Sequence, residues 1–219
     1  MFSVLVFTAV DAEKRRHGVT PLAEEAIRRL GQAEGFRVDV SDDPSRFNAS
    51  GLGEYDAVVL LNARGTVLDE DQRGAFREYV RDGGGAAIIH AAMLFEEEWD
   101  WFTGLAGARF DDHPNIQPGR LEVVEFAHAA NRDLPQTWSH TDEWYNFESL
   151  PGDVTVLITV DEASYTGGKH GDDHPVAWCH EFGGGRSFYT ALGHTEESWS
   201  NPVYLNHVLG GIKYAAGVE

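Results

Sequence analysis

Apolar and polar residues alternate in blocks along the first hundred residues of this chain. Strands are predicted at residues 3–8, 36–40 and 56–61, and the first is a continuous apolar run of the kind buried on both faces of a parallel sheet. A fourth apolar strand is predicted immediately before His90. Helical segments separate the runs, and this β-α-β-α-β order predicts right-handed crossovers and a doubly wound, mostly parallel sheet with helices on both faces.

Two helices are predicted between these strands. The first begins at Thr20-Pro21, because threonine is a good N-cap and proline suits the first helical position. Its apolar residues recur at helical spacing over residues 23–30, and Gly31 or Gly35 ends it. The second is predicted over residues 69–81, with Phe76 on its apolar face.

The second half of the chain has a different pattern, which adds an antiparallel, loop-rich part to the predicted sheet. Strands separated by loops are expected at residues 122–126, 153–160, 176–182 and 187–192. Residues 183–185 are three glycines and predict a hairpin turn between the last two strands. A helix from Asn201 closes the chain, and no linker divides it, so residues 1–219 are predicted to form a single α/β domain.

Charge and composition narrow the classes of partner. The chain has 36 acidic and 17 basic residues, a formal charge of −19, which disfavours nucleic acid and membrane surfaces. A sugar is compatible with such a surface, and adaptation to solubility explains the charge equally well. The one cysteine, Cys179, excludes an intrachain disulfide and a thiolate metal cluster. No segment approaches the roughly 20 apolar residues of a membrane span, so we expect a cytoplasmic protein.

Candidate chemistry begins at His90. A glycine-rich turn at residues 83–85 leads into the short apolar strand that this histidine ends. Ligands collect at the carboxyl ends of strands in open α/β sheets, and some such enzymes place a serine or cysteine nucleophile on a turn there. An imidazole in that place favours acid–base or metal chemistry over covalent acyl transfer. The alternative is a histidine that only caps the strand.

His194 stands just past a later strand, in the counterpart of the position of His90. If the two strands are neighbours, both imidazoles face one cleft; otherwise His194 only bonds a loop carbonyl. Asp142 and Glu143 are further candidates for catalysis because aromatic neighbours can desolvate a carboxyl group and raise its pKa. The alternative is a solvated turn over an aromatic patch.

Other residues are expected to bind substrate rather than react. The loop histidines His17 and His113 could each reach a cleft or be ordinary loop residues, and the aromatic candidates, which could stack on sugar rings, are Trp99, Trp101, Trp144 and Tyr145. No cofactor is certain. A divalent metal, zinc or manganese, is compatible with imidazole and carboxylate ligands, and its candidate ligands are His90, His194, His113 and Glu143. None of these pairs has the spacing of a known metal motif.

An ordered set of motifs resembles the ThuA-like (trehalose-utilisation-type) family along essentially the whole chain. The matching segments are residues 83–92, 99–101, 113–117, 141–147, 161–165, 173–179, 185–195 and 209–217. The resemblance implies a flavodoxin-like fold related to class I glutamine amidotransferases, in which an elbow cysteine pairs with a late histidine. His90 stands where that cysteine would be and His194 where that histidine would be, so amidotransferase activity is not expected.

The sequence departs from the family pattern in two places. Arg15 stands two positions before His17, where relatives carry an aromatic residue, and this weakens a role for His17. Residues 62–66 differ from the Thr-Gly-Asp pattern of relatives, which indicates that part of the cleft rim is rebuilt.

The resemblance also implies catabolism of trehalose and related disaccharides through 3-keto sugars. We therefore expect hydrolysis or β-elimination of a disaccharide or keto-glycoside, with Glu143 or His90 as base and His194 as acid, either metal-assisted or not. The alternative is a non-catalytic module that binds a sugar or polyol and serves regulation or assembly. A small-molecule sugar is the expected partner, and assembly into a homo-oligomer is left open.

Overall fold

The structure is a computed structural model, and it describes residues 1–218. Its strands and helices follow one another as β1 (Ser3–Phe7), α1 (Thr20–Glu34), β2 (Arg37–Ser41), α2 (Ala49–Leu52), β3 (Ala57–Leu61), α3 (Glu70–Arg81), β4 (Gly85–Ile89), α4 (Asp100–Ala106), β5 (Phe110–Asp112), β6 (Gln117–Val123), β7 (Thr137–Asp142), β8 (Asn146–Phe147), β9 (Thr155–Asp161), β10 (Pro175–Phe182), β11 (Gly185–Thr190) and α5 (Pro202–Ala215). Short 3₁₀ helices cover Pro44–Arg46, His90–Leu94, Glu162–Ser164 and Ser198–Ser200.

One nine-stranded mixed sheet organises the molecule, in the order β2-β1-β3-β4-β11-β10-β9-β6-β7. Its first five strands are parallel to one another. Their order is that of flavodoxin-like folds, with β11 taking the place of the fifth strand. The remaining four strands are antiparallel to their neighbours, so the second half of the chain extends the same sheet.

Helices cover both faces of this sheet. Phe188 of β11 lies against α5, since a Cβ added at Gly211 would meet its ring. The adjacent Ser187 donates a hydrogen bond to the carbonyl of Leu105 in α4. Successive side chains of a strand point to opposite faces, so α4 and α5 lie on opposite sides. Of the residues described, no helix is long and apolar enough to cross a membrane.

Local sequence explains the ends of the helices. Asp69 caps α3 in a capping box with Gln72, which satisfies free N–H groups of the first turn. Gly35 ends α1 with a φ of 77°, a left-handed conformation that glycine adopts without steric cost. Thr20, expected as the N-cap of α1, lies inside the helix instead, and Val19 takes the cap position without a side-chain hydrogen bond.

The largest differences from the predicted elements lie in the second half. β7 and the short helix α4 were not predicted, and the strand expected at residues 122–126 runs over Gln117–Val123. Hydrophobic patterning did not predict β7 because the buried side chains of this strand include the polar residues His140 and Asp142. The glycine hairpin was placed correctly between β10 and β11, although Gly185 belongs to the strand rather than to the turn.

Candidate active site

β4 and β11 end side by side at the carboxyl edge of the parallel strands. Ile89 pairs with Thr190, so the loops that follow both strands leave the sheet at the same level. His90 is fully buried directly after β4 and has a φ of 53°. A non-glycine residue in this region costs free energy and is enriched at functional turns. The turn at His90 is therefore the strand-to-helix elbow that the sequence predicted.

Three imidazoles meet above this edge. His194 Nδ1 lies 3.0 Å from His17 Nε2 and 3.2 Å from His90 Nε2. His17 comes from the loop after β1, directly before α1, and His194 from the loop after β11. We call these three residues the histidine cluster. The cluster brings the rings of His90 and His194 together, and it places His17, whose role the sequence had weakened, in contact with His194.

The carboxylate of Glu143 contacts the histidine cluster from a different part of the chain. Its Oε2 lies 2.9 Å from His194 Nδ1 and 3.6 Å from His90 Nε2. Its other oxygen lies 3.7 Å from His113 Nε2. The hydroxyl of Tyr145 lies 3.2 Å from His90 Nε2. One carboxylate thus bridges the buried cluster and the more exposed His113.

The carboxylate of Asp142 holds the loop that carries His194 in position. It is fully buried, and its two oxygens accept hydrogen bonds from the backbone N–H groups of Gly193 (2.8 Å) and His194 (3.0 Å). Ser198 donates to it, and His140 lies 3.3 Å away. The expected catalytic role of Asp142 is thus replaced by a positioning role, since its oxygens are occupied in fixing the loop that carries His194.

Burial and mutual charge set the protonation of the site. Burial lowers the pKa of His17 to about 4, helped by the neighbouring His90 and His194. Burial also lowers the pKa of His90, against the opposing charges of Asp142 and Glu143. For Glu143, burial alone would raise the pKa, but the hydrogen bond from His194 and the nearby histidines leave it lowered. At neutral pH the imidazoles of His17 and His90 are therefore neutral, and the carboxylate of Glu143 is ionised.

Three of the predicted aromatic residues lie away from the cluster. Trp99 and Trp101 stack on each other and lie under the guanidinium of Arg77 in α3. Trp144 is fully buried, with its indole N–H donated to the carbonyl of Gln117. These contacts correct the expectation that the three indoles line the cleft, because short segments rich in tryptophan also serve the core. Of the predicted aromatic residues, Tyr145 alone touches the cluster.

Two supporting groups escaped sequence reasoning. His174 donates its Nε2–H to the backbone carbonyl of Tyr145 at 2.8 Å, and so fixes the segment that carries Tyr145, while its Nδ1 lies 2.8 Å from Glu162. Ser198 links Asp142 to His140. The recurring Asp-His-Pro tripeptide at residues 173–175 was a signal for His174, whereas nothing in the sequence marks Ser198.

A groove opens beside the cluster at His113. It has a volume of about 570 Å³ and is lined by His113, Pro114, Asn115, Gln117, Thr166 and Gly167. Gln117 bridges the groove wall through hydrogen bonds to both the N–H and the carbonyl of Thr166. Polar amide and hydroxyl groups next to a carboxylate suit a polyhydroxylated ligand.

The sheet order and the elbow define the class of protein: a flavodoxin-like α/β domain with a histidine at the turn that follows β4. The profile of the family ThuA, described as trehalose utilisation, matches residues 3–215. The chain therefore belongs to the ThuA family.

Solved structures agree with this assignment. A protein described as ThuA-like from Bacteroides uniformis is 23% identical with a TM-score of 0.81, over 98% of this chain and 91% of that one. One from Parabacteroides merdae is 22% identical with a TM-score of 0.80, over 99% and 91%. A cytoplasmic protein from Salmonella typhimurium is 12% identical with a TM-score of 0.65, over 98% and 99%. No curated protein matches the sequence significantly.

Proposed function

We propose that this protein is a cytoplasmic enzyme of carbohydrate catabolism that cleaves a 3-keto-disaccharide or related keto-glycoside. The observation that carries the proposal is the contact of Glu143 with the histidine cluster on one side and with His113 on the other. This geometry places a proton acceptor and several proton carriers within one substrate's reach. The family's description as trehalose utilisation supports a disaccharide substrate.

The chemistry follows from a carbonyl group at C3 of the sugar. That carbonyl acidifies the proton on C2, and Glu143 or the unprotonated Nε2 of His90 would remove it. The electrons of the C2–H bond form a C1=C2 double bond as the C1–O bond breaks. The departing oxygen takes a proton from His194, which releases an alcohol and an unsaturated keto sugar. Addition of water to that product makes the overall reaction a hydrolysis.

The groove beside His113 fits the remaining part of such a substrate. Asn115 and Thr166 offer hydrogen-bonding groups there, and His113 stands between the groove and Glu143. His90 is buried and His17 and His194 are half-buried, so the cluster shields the reacting end from water only in part. The groove would keep the departing part of the substrate in contact with solvent. The missing cysteine at the elbow supports a reaction other than glutamine hydrolysis.

The test is an assay of 3-keto-trehalose cleavage with wild type, His90→Ala and Glu143→Gln, with and without a chelator. The matched control is Glu148→Gln, an exposed glutamate that faces Arg109. We expect loss of about 10²-fold or more in kcat for Glu143→Gln, the usual size of an acid–base contribution, and wild-type rates for Glu148→Gln. Equal turnover in all samples would end the proposal, and binding of sugar without turnover would favour the non-catalytic alternative.

A further inference from the structure

The histidine cluster has the arrangement of a metal-binding site. The ligand atoms of His17, His90 and His194 all lie within 4.8 Å of one another. The two nitrogen–nitrogen distances to His194 are 3.0 and 3.2 Å, and Glu143 Oε2 lies 2.9 Å from the same nitrogen. Zinc–nitrogen bonds of about 2.1 Å place adjacent ligand atoms roughly 3.0 to 3.4 Å apart, depending on the coordination geometry. The observed spacings lie close to this range.

The tautomer of His90 supports the same conclusion. Its Nδ1 lies 2.7 Å from the backbone carbonyl of Ala191, which can only accept, so the ring proton lies on Nδ1. Nε2 of the neutral ring then presents a lone pair to the cluster. A ligating histidine commonly donates its other N–H to a carbonyl, and this contact orients the ring.

Hydrogen bonds alone do not provide a donor for every acceptor atom of the cluster. His194 Nδ1 has at most one proton to share among Glu143, His17 and His90, which all approach it. The hydroxyl of Tyr145 can donate to His90 Nε2, 3.2 Å away, but the other lone pairs still approach one point. A bound cation would satisfy lone pairs arranged in this way.

We propose that His17, His90 and His194 bind a divalent transition-metal ion, with Glu143 as a fourth ligand. Three imidazoles and a carboxylate without a thiolate favour zinc, and manganese is the alternative with harder ligand preference. His113, which we had expected among the ligands, lies outside the set because its Nε2 faces the second oxygen of Glu143. His17 takes the place of His113 among the ligands, although Arg15 two positions before it had weakened the expectation of a role for His17.

The ion would supply Lewis-acid polarisation of a substrate carbonyl. His90, His194 and Oε2 of Glu143 would then be occupied as ligands, and the proton transfers of the proposed reaction would fall to His113 and to Oε1 of Glu143, which faces it. The binding itself does not depend on that reaction.

The test measures metal binding directly. Protein stripped with a chelator is titrated with Zn²⁺, and in parallel with Mn²⁺, against a competing indicator dye. His17→Ala is the main variant because this side chain is only half-buried, and Glu143→Gln tests the fourth ligand. The matched control is His180→Ala, a half-buried histidine of β10 whose Nε2 contacts the carbonyl of Leu105.

We expect one saturable equivalent of Zn²⁺ for wild type and His180→Ala, and affinity at least about 100-fold weaker for His17→Ala. A second measurement keeps the test valid if the variants do not fold: saturating Zn²⁺ should raise the Tm of wild type by about 5 °C or more. No saturable binding, unchanged affinity in His17→Ala, or no shift in Tm would overturn the inference. Such failure leaves the acid–base proposal standing, whereas binding without keto-sugar turnover would count against the reaction alone.

Discussion

Replacement of Asp142 tests whether this buried carboxylate holds the loop of His194. Asp142→Ala removes the acceptor of three backbone N–H groups, those of Gly193 at 2.8 Å, Glu143 at 2.9 Å and His194 at 3.0 Å. Ser198 loses one partner but keeps His140 at 2.9 Å, so its hydroxyl is not left unsatisfied. The change therefore leaves the part-buried N–H of His194 and two buried donors, the N–H groups of Gly193 and Glu143, without a protein acceptor.

The magnitude follows from those two donors. Each buried, unsatisfied donor costs about 1–3 kcal/mol, so the pair would lower the free energy of unfolding by about 2–6 kcal/mol. Water entering the space left by the carboxylate would recover part of this loss. We therefore expect about 3–4 kcal/mol for Asp142→Ala. Asp142→Asn keeps one acceptor oxygen, and about 1–3 kcal/mol is expected.

Urea unfolding at pH 7, followed by circular dichroism, measures both variants against wild type. Asp153→Ala is the control, since this aspartate is exposed, and a change within about 0.5 kcal/mol is expected for it. A loss below about 1 kcal/mol for Asp142→Ala would refute the positioning role. Loss of site function in Asp142→Asn, with the fold intact, would support it.

Two further predictions concern burial elsewhere in the fold. His207 is fully buried, with Nδ1 3.0 Å from the carbonyl of Ala130, and burial lowers its pKa from 6.5 to about 4. Below pH 6.5 the unfolded chain takes up a proton that the folded chain binds only near pH 4, so stability falls as pH drops through this window. The fall should reach about 3 kcal/mol in total, and parallel pH profiles of unfolding for wild type and His207→Asn would contradict it. For the glycines, Gly85→Ala should destabilise by at least about 1–3 kcal/mol because its Cβ would lie 1.9 Å from the carbonyl oxygen of Ala215. Gly74→Ala, in an open position of α3, should stabilise by up to about 1 kcal/mol, and thermal unfolding of the pair would show opposite shifts in Tm.

Much of the fold was visible in local patterns. The strands β1, β3 and β4 are fully or almost fully buried, and each was predicted from an unbroken apolar run. α1 followed from helical spacing with Pro21 and a glycine at its ends, and α3 followed from the helical spacing of its apolar residues. β7 was missed because its buried face carries His140 and Asp142, whose burial depends on partners elsewhere in the chain.

The candidate site was predicted only in part. His90 and His194 could be paired because each follows an apolar strand, and strand ends of a parallel sheet meet at one edge. Glu143 was a candidate because of its aromatic neighbours, which say nothing about its distance from the two histidines. A role for His17 was considered weak because of Arg15. Trp99 and Trp101 looked like cleft residues, yet they pack on α3.

Sequence periodicity is a local property, and it was enough to predict the parallel β/α half and the strand that His90 ends. The resemblance to a family came from the ordered motifs instead. Which ring nitrogens point at each other depends on strand order, on the Ile89–Thr190 register and on the loop that Asp142 fastens. These contacts join segments far apart along the chain, and hydrophobic patterning carries no information about them. The convergence of three imidazoles and one carboxylate therefore emerged only once the chain was folded.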